Sequence, residues 1–159
     1  MRLKFIKDED TVNFKKISMF LGAINCSWKC AMEAGFSPDL CQNEPWSREP
    51  IKNYEIADVI KRYMNNPLTD AIVVGGLEPF DEFDEWYEFV KEFRKVSNDY
   101  VVFYTGYYKE EVPEILESLQ EFPNIIVKWG RYIPNSIPRY DAILGITLAS
   151  VNQYAEKVS

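Results

Sequence analysis

The residues best suited to chemistry in this sequence are its three cysteines, Cys26, Cys30 and Cys41, which lie within 16 positions of a 159-residue chain. No other cysteine and no histidine occurs in the chain. Without an imidazole, a Ser-His-Asp triad, a Cys-His pair and every histidine-containing metal site are excluded. The three thiols are therefore the soft metal ligands or thiol nucleophiles that remain, and their odd number does not suit a closed set of disulfides.

The cysteine cluster has three interpretations. Buried structural thiols would suit a helix or strand face, whereas these lie in a Pro- and Asn-containing stretch, 25–50, that we predict to be a loop. A structural zinc site needs four ligands, so an Asp or Glu would have to be the fourth. An iron–sulfur cluster held by three thiolates uses every cysteine and leaves one iron open to a substrate.

The charge balance limits the partners of the protein. Its 18 Lys and Arg against 25 Asp and Glu give a formal net charge of −7, which argues against binding to nucleic acid or to an anionic membrane surface. The first ten residues resemble no signal peptide, and the longest strongly apolar stretch, Ile17–Ile24, is far shorter than the ~20 residues of a membrane span. We therefore expect a cytoplasmic protein that binds neither nucleic acid nor membrane.

The cysteine segment must be positioned by the elements around it, and the apolar pattern predicts strands that alternate with amphipathic helices. Helical spacing begins near Ile56, Phe83 and Val112, and the acidic run Asp81–Glu85 is expected to be the solvated start of the second helix. Strands are predicted near Leu3–Ile6 and at Ile17–Ile24, Ala71–Val74, Tyr100–Thr105, Asn124–Trp129 and Ala142–Leu148. This order implies right-handed βαβ units and a single α/β domain, 1–159, with a mainly parallel sheet.

Glycines mark one edge of that sheet. Three consecutive predicted strands run into glycine at their carboxyl ends, at Gly75-Gly76, Gly106 and Gly130. Open α/β sheets bind their ligands at this edge, and glycine lets the backbone approach a ligand closely. The cysteine loop follows the first buried strand, so we expect the thiols to lie at the same edge.

In order and spacing, these segments resemble those of the radical S-adenosylmethionine (SAM) enzymes, and among them the activating proteins of the anaerobic ribonucleoside-triphosphate reductase. The resemblance covers most of the chain. It is carried by Cys26-Ser-Trp-Lys-Cys30, Gly75-Gly76-Leu77-Glu78-Pro79, Tyr104-Thr105-Gly106-Tyr107, Gly130-Arg131-Tyr132 and Ser150-Val-Asn152-Gln153.

The sequence departs from the family pattern at two places. Ten residues, Ala31–Leu40, separate Cys30 from Cys41, where the family has two. Leu77 interrupts the Gly-Gly-Glu-Pro run that contacts the methionine part of SAM in the family. The long spacing implies that residues 31–40 loop out if Cys41 is to reach a shared cluster.

The resemblance implies a fold and a set of site residues. The fold would be an incomplete barrel of alternating βα units, since the chain is too short for a full barrel of ~250 residues. Cys26, Cys30 and Cys41 would bind a 4Fe-4S cluster. The residues near the aminoacyl part of SAM would be Gly75, Gly76 and Glu78, with Thr105 and Asn152 as hydrogen-bonding groups for its ribose or carboxylate.

The activity that the resemblance implies is reductive cleavage of SAM to methionine and a 5′-deoxyadenosyl radical. An electron donor such as flavodoxin or ferredoxin would supply the electron. The radical would remove hydrogen from one backbone glycine of a partner enzyme, the anaerobic ribonucleoside-triphosphate reductase. The alternatives are an activase of another glycyl-radical enzyme, a non-catalytic iron–sulfur or zinc protein, and a degenerate domain that no longer binds SAM.

Overall fold

The computed structural model, which describes residues 1–159, contains ten strands and five α-helices. The strands are β1 (Arg2–Leu3), β2 (Ile6–Asp10), β3 (Ser18–Gly22), β4 (Lys52–Asn53), β5 (Ala71–Gly75), β6 (Tyr100–Tyr104), β7 (Ile125–Trp129), β8 (Arg139–Asp141), β9 (Ile146–Leu148) and β10 (Tyr154–Lys157). The helices are α1 (Lys29–Ala34), α2 (Glu44–Arg48), α3 (Ile56–Met64), α4 (Phe83–Phe93) and α5 (Pro113–Gln120). Single 3-10 turns lie at Pro38–Leu40, Pro79–Glu82 and Lys109–Glu111.

Six strands form the central sheet in the order β10-β7-β6-β5-β3-β2. The four inner strands, β3, β5, β6 and β7, are parallel, and the two outer strands pair with them antiparallel. The prediction of an α/β chain with a mainly parallel sheet is therefore confirmed. The inner strands are almost continuously apolar because both of their faces are covered.

The three longer helices lie on one face of the sheet. Each successive inner strand is added on the same side of the one before it, and right-handed crossovers then place every connecting helix on the same face. Residues of α3, α4 and α5, among them Tyr63, Phe89 and Leu119, pack there against the sheet. The longest helix has 11 residues, and none of the five has the length and apolar character needed to cross a membrane.

The opposite face is covered without a helix. Phe14, from the connection between β2 and β3, and Leu144 and Leu148, from the β8–β9 hairpin, pack against Val73, Val102 and Ile126 of the sheet. The sheet is therefore buried on both faces, and its strand ends remain for other segments to cover.

The prediction that residues 25–50 are a loop is wrong in part, because α1 and α2 form there. Neither helix is long enough to produce a recognisable apolar period. The first begins after Trp28, whose φ is 58°, and stops at Gly35, whose φ is 68°. Two left-handed residues thus confine α1 to six residues.

The predicted first and last strands also need correction. Residues 3–6 are not one edge strand, since β1 ends at Leu3 and β2 begins at Ile6. Of Ala142–Leu148, only residues 146–148 are a strand, and they pair with β8 outside the central sheet. The Asp141 carboxylate accepts the backbone N–H groups of Ile143 and Leu144, which bends this apolar run into a turn. The strand that completes the sheet is β10, which the apolar pattern did not predict.

Candidate functional site

The segment that carries the cysteines is hydrogen-bonded to the carboxyl end of β5. The backbone N–H of Ala23 donates to Gly75 O at 2.8 Å, and the N–H of Glu78 donates to Asn25 O at 2.7 Å. These bonds continue the pairing of β3 with β5 beyond the ends of both strands. The chain therefore enters the cysteine segment directly at the edge where α/β sheets bind ligands.

Glu78 is the centre of this edge. Its Oε1 accepts the Thr105 hydroxyl at 2.7 Å and the Phe80 N–H at 3.1 Å, and its Oε2 accepts the Gly106 N–H at 2.7 Å. Burial raises the pKa of Glu78 to about 7, although the three donors act in the opposite direction. Two of the predicted site residues, Glu78 and Thr105, are thus joined directly, and they link the ends of β5 and β6.

Gly76 and Gly106 show why glycine is needed at these strand ends. Gly76 has a φ of +82°, a conformation that side chains disfavour, and a Cβ built on it would lie 3.3 Å from the Phe5 ring. A Cβ built on Gly106 would lie 3.0 Å from the Sγ atom of Cys30. The absence of a side chain at Gly106 therefore lets this thiol lie against the end of β6. Gly75, the last residue of β5, packs beside Tyr104.

Cys26 and Cys30 both lie at this edge. Burial raises the pKa of the Cys26 thiol to about 12, and the carboxylates of Glu78 and Asp81 and the Cys30 thiol add to the rise. Burial also raises the pKa of Cys30, while the cations of Lys128 and Arg131 oppose the effect. Both groups are therefore thiols at neutral pH, and a metal ion must displace their protons to bind.

Cys41 lies apart from this arrangement. It follows the 3-10 turn Pro38–Leu40, and its backbone bonds to Pro38 and Glu44. No three side chains of Cys, Asp or Glu are gathered in a way that could hold a metal ion. The three thiols fit an iron–sulfur cluster in number and type, but the arrangement of the chain brings only Cys26 and Cys30 to the strand ends.

Asn152 lies beside Gly130, at the carboxyl end of β7. Its Nδ2 donates to the backbone carbonyl of Arg131 at 3.0 Å and to the Tyr108 hydroxyl at 3.1 Å. Its Oδ1 is buried and has no hydrogen-bond partner. Asn152 is therefore the one predicted SAM residue that lies beside Gly130 rather than around Glu78, and its Oδ1 is a free acceptor.

Lys128 is a site residue that the sequence analysis missed. Its buried Nζ donates to Gly130 O at 2.9 Å and to Thr105 O at 3.3 Å. Burial lowers the pKa of Lys128 to about 8, and the nearby carboxylate of Glu78 opposes the effect. The sequence could have indicated this residue, because Lys128 is the single charged residue inside the otherwise apolar strand Ile125–Trp129.

Asp81 has a structural role that its place in an acidic run did not predict. It does not belong to a solvated helix start, since its Oδ2 accepts the backbone N–H of Ser27 and its Oδ1 the Tyr107 hydroxyl, each at 2.6 Å. The carboxylate therefore holds the beginning of the cysteine segment against the end of β6. The sequence held no signal for this contact, because Ser27 and Asp81 are 54 positions apart.

Comparisons with known proteins leave the family of this chain open. No family model matches it, and no solved structure matches it. The chain is similar to the GTPase Obg of Malacoplasma penetrans (strain HF-2), with 28% identity over 101 residues. That similarity covers 61% of this chain and 24% of the GTPase, so the chain spans about a quarter of the length of this relative.

Proposed function

We propose that this chain is a radical SAM protein of the type that activates glycyl-radical enzymes, with anaerobic ribonucleoside-triphosphate reductase as its partner and a flavodoxin or ferredoxin as its electron donor. With a 4Fe-4S cluster and SAM bound, such a protein supplies a 5′-deoxyadenosyl radical that removes hydrogen from a partner's backbone glycine. The open sheet would be the incomplete barrel of this class, in a cytoplasmic protein of one domain.

The observation that carries the proposal is the meeting of two thiols, a buried carboxylate and a hydroxyl at the carboxyl ends of parallel strands. Cys30 lies against Gly106, and Glu78 bonds to both Gly106 and Thr105. Helices fill one face of the sheet and the β8–β9 hairpin the other, so the strand ends are the edge left for a ligand. A thiolate-held cluster also needs no histidine, which this chain lacks.

Each residue has a defined part in this proposal. The cluster ligands are Cys26, Cys30 and Cys41, and the residues around SAM are Gly75, Gly76, Glu78, Thr105 and Asn152. Glu78 acts chiefly by holding the strand ends together, because both of its oxygens already accept hydrogen bonds. The free Oδ1 of Asn152 is an acceptor for a hydroxyl or amino group of the ligand.

The proposal requires Cys41 to move to the other two thiols. The backbone hydrogen bonds within residues 36–44 are all local, reaching back to Ala31 at most. The side chains of Met32 and Leu40 are exposed, and nothing lies within 4 Å of a Cβ built on Gly35. This stretch can therefore be rearranged without breaking the central sheet.

The similarity to a GTPase does not support a second candidate function. A phosphate-binding loop of the P-loop kind has the pattern Gly-x-x-x-x-Gly-Lys-Ser/Thr, in which a lysine follows the second glycine. None of the seven glycines in this chain precedes a lysine.

Anaerobic reconstitution of the full chain with iron and sulfide tests the proposal. We expect about four iron and four sulfide per chain, an electron paramagnetic resonance signal of the reduced protein that changes when SAM is added, and formation of 5′-deoxyadenosine. A signal that ignores SAM, together with no deoxyadenosine, would overturn the proposal. Zinc retained in place of iron would instead identify a structural metal protein.

Replacement of Cys41 tests the third ligand. Cys41→Ala should lower the iron content and remove the effect of SAM on the spectrum. Ser37→Ala is the matched control, because Ser37 lies in the same segment and bonds only locally, to Asp39. A cluster that survives unchanged in the Cys41 variant would show that this residue is not a ligand.

A further inference from the structure

Arg131 lies where the cysteine segment, the end of β6 and the turn at Lys109–Glu111 meet. Only 4% of its side chain is exposed, although a guanidinium is strongly solvated in water. Its Nη1 donates to Gly106 O and to Glu111 Oε2, each at 2.7 Å, and its Nη2 donates to Glu111 Oε1 at 2.6 Å. This bidentate pair with Glu111 holds the guanidinium in one orientation.

The remaining edge of the guanidinium faces helix α1. Nη2 donates to Glu33 Oε1 at 2.8 Å, and Nε lies 2.6 Å from Glu33 Oε2. The guanidinium therefore engages two carboxylates and one carbonyl at once, which a lysine ammonium could not do with the same geometry. The guanidinium also packs against the ring of Tyr108, and its central carbon lies 4.9 Å from the ring centroid.

Helix α1 needs such a tether. It has six residues, fewer than a helix requires to be stable alone, and Ala31 is its only buried residue. Glu33 lies three positions after Cys30, so both side chains project from one side of the helix. Cys30 contacts Gly106 and Glu33 reaches Arg131, which itself bonds to the Gly106 carbonyl.

We infer that Arg131 is a positioning residue that fixes Cys30 at the end of β6 by tethering helix α1 through Glu33. The role of Cys30 as a cluster ligand rests on the proposed function, whereas the tether itself does not. Arg131 acts through Glu33 and the helix rather than by contact with the thiol. Loss of the tether leaves the sheet intact and frees the helix that carries Cys30.

The test measures how fast Cys30 reacts with a thiol reagent in the full chain without iron. Cys26→Ser and Cys41→Ser leave Cys30 as the single thiol. In this background Glu33→Gln should raise the modification rate about two- to fivefold, the effect of losing an ion pair with one half-exposed partner. Glu117→Gln, which removes an exposed carboxylate elsewhere, should leave the rate unchanged.

Ionic strength gives a readout that a purely structural role would not move. Salt should increase the modification rate of the parent, because it screens the Glu33–Arg131 pair. The increase should be smaller in the Glu33→Gln variant, where the longer pair of Lys29 in α1 with Glu111, at 3.8 Å, is the one that remains. Arg131→Lys should react faster than the parent, since it keeps the positive charge near Cys30 but loses the planar guanidinium that binds Glu33 and Glu111 together. Thermal unfolding of each variant confirms that the rates compare folded chains.

The results separate the two proposals. If Glu33→Gln reacts at the rate of Glu117→Gln, or responds to salt as the parent does, the tether is refuted whether or not the chain binds iron. If the tether is found but reconstitution yields no cluster, the proposed function alone fails.

Discussion

Glu78 carries two opposed influences whose balance can be measured. Burial favours the neutral carboxyl group, whereas the N–H groups of Phe80 and Gly106 and the Thr105 hydroxyl favour the carboxylate. The net pKa of about 7, against an ordinary 4.5, means that burial prevails. The folded chain therefore keeps this proton up to about pH 7, whereas the unfolded chain releases it near pH 4.5.

The sign of the effect on stability follows from proton binding. Between pH 4.5 and about 7 the folded state binds more protons than the unfolded state at this group, so stability falls as pH rises. At about 1.4 kcal/mol per pKa unit, the full loss is about 3 kcal/mol. That figure is an upper limit, since the nearby cation of Lys128 stabilises the ionised form of Glu78.

Glu78→Gln is the matched perturbation, because glutamine has nearly the shape of a protonated glutamate and does not titrate. In denaturant unfolding without iron, the variant should be the less stable protein near pH 4.5, because its amide Nε2 cannot accept the Gly106 N–H that Oε2 of Glu78 accepts. The wild type should then lose up to about 3 kcal/mol relative to the variant by pH 7. Glu117→Gln, at an exposed position, should show no such trend. A wild type that instead gains stability over the variant as pH rises would show that the three donors outweigh burial.

Three further changes probe the packing and charge of the same sheet. Gly22→Ala should cost about 1–3 kcal/mol in denaturant unfolding, because its Cβ would lie 2.5 Å from ring atoms of Phe5; an unchanged midpoint would contradict the crowding. Relative to Lys128→Met, the wild type should gain stability between about pH 8 and 10.5, because unfolded Lys128 still binds the proton that the folded state has lost; parallel pH profiles of the two proteins would refute this. Asp141→Ala should cost about 3 kcal/mol and speed hydrogen exchange at the Ala155 amide, which bonds to the Asp141 carboxylate; exchange at the wild-type rate would refute that link.

The sequence predicted the parts of the fold that local patterns encode. Strands β5 and β6 are continuous apolar runs, and Lys128 alone interrupts the apolar run of β7. A glycine lies at or just after the end of each strand, Thr105 directly follows β6, and Glu78 lies three residues beyond the end of β5. Helices α1 and α2 were not predicted, because they are too short to show the apolar period of a helix. The pairing of Arg131 with Glu33 joins residues 98 positions apart, so only the tertiary structure reveals it.

The order of the strands explains why the cysteine segment, residues 25–50, lies over the strand ends and can be rearranged there. Crossovers in one direction place the helices on one face, so the strand ends are left to residues 25–50. The beginning of that segment is held by Asp81, and helix α1 is held by Arg131. The end of the segment is held by Lys4, whose Nζ donates to Ser47 O at 3.0 Å and to Glu49 O at 2.6 Å. Between these ties, residues 36–44 make only local backbone bonds, so a ligand can reorganise them without disturbing the sheet. In the proposed function, the tethers set where the ligand binds, and the stretch between them supplies the freedom that Cys41 needs.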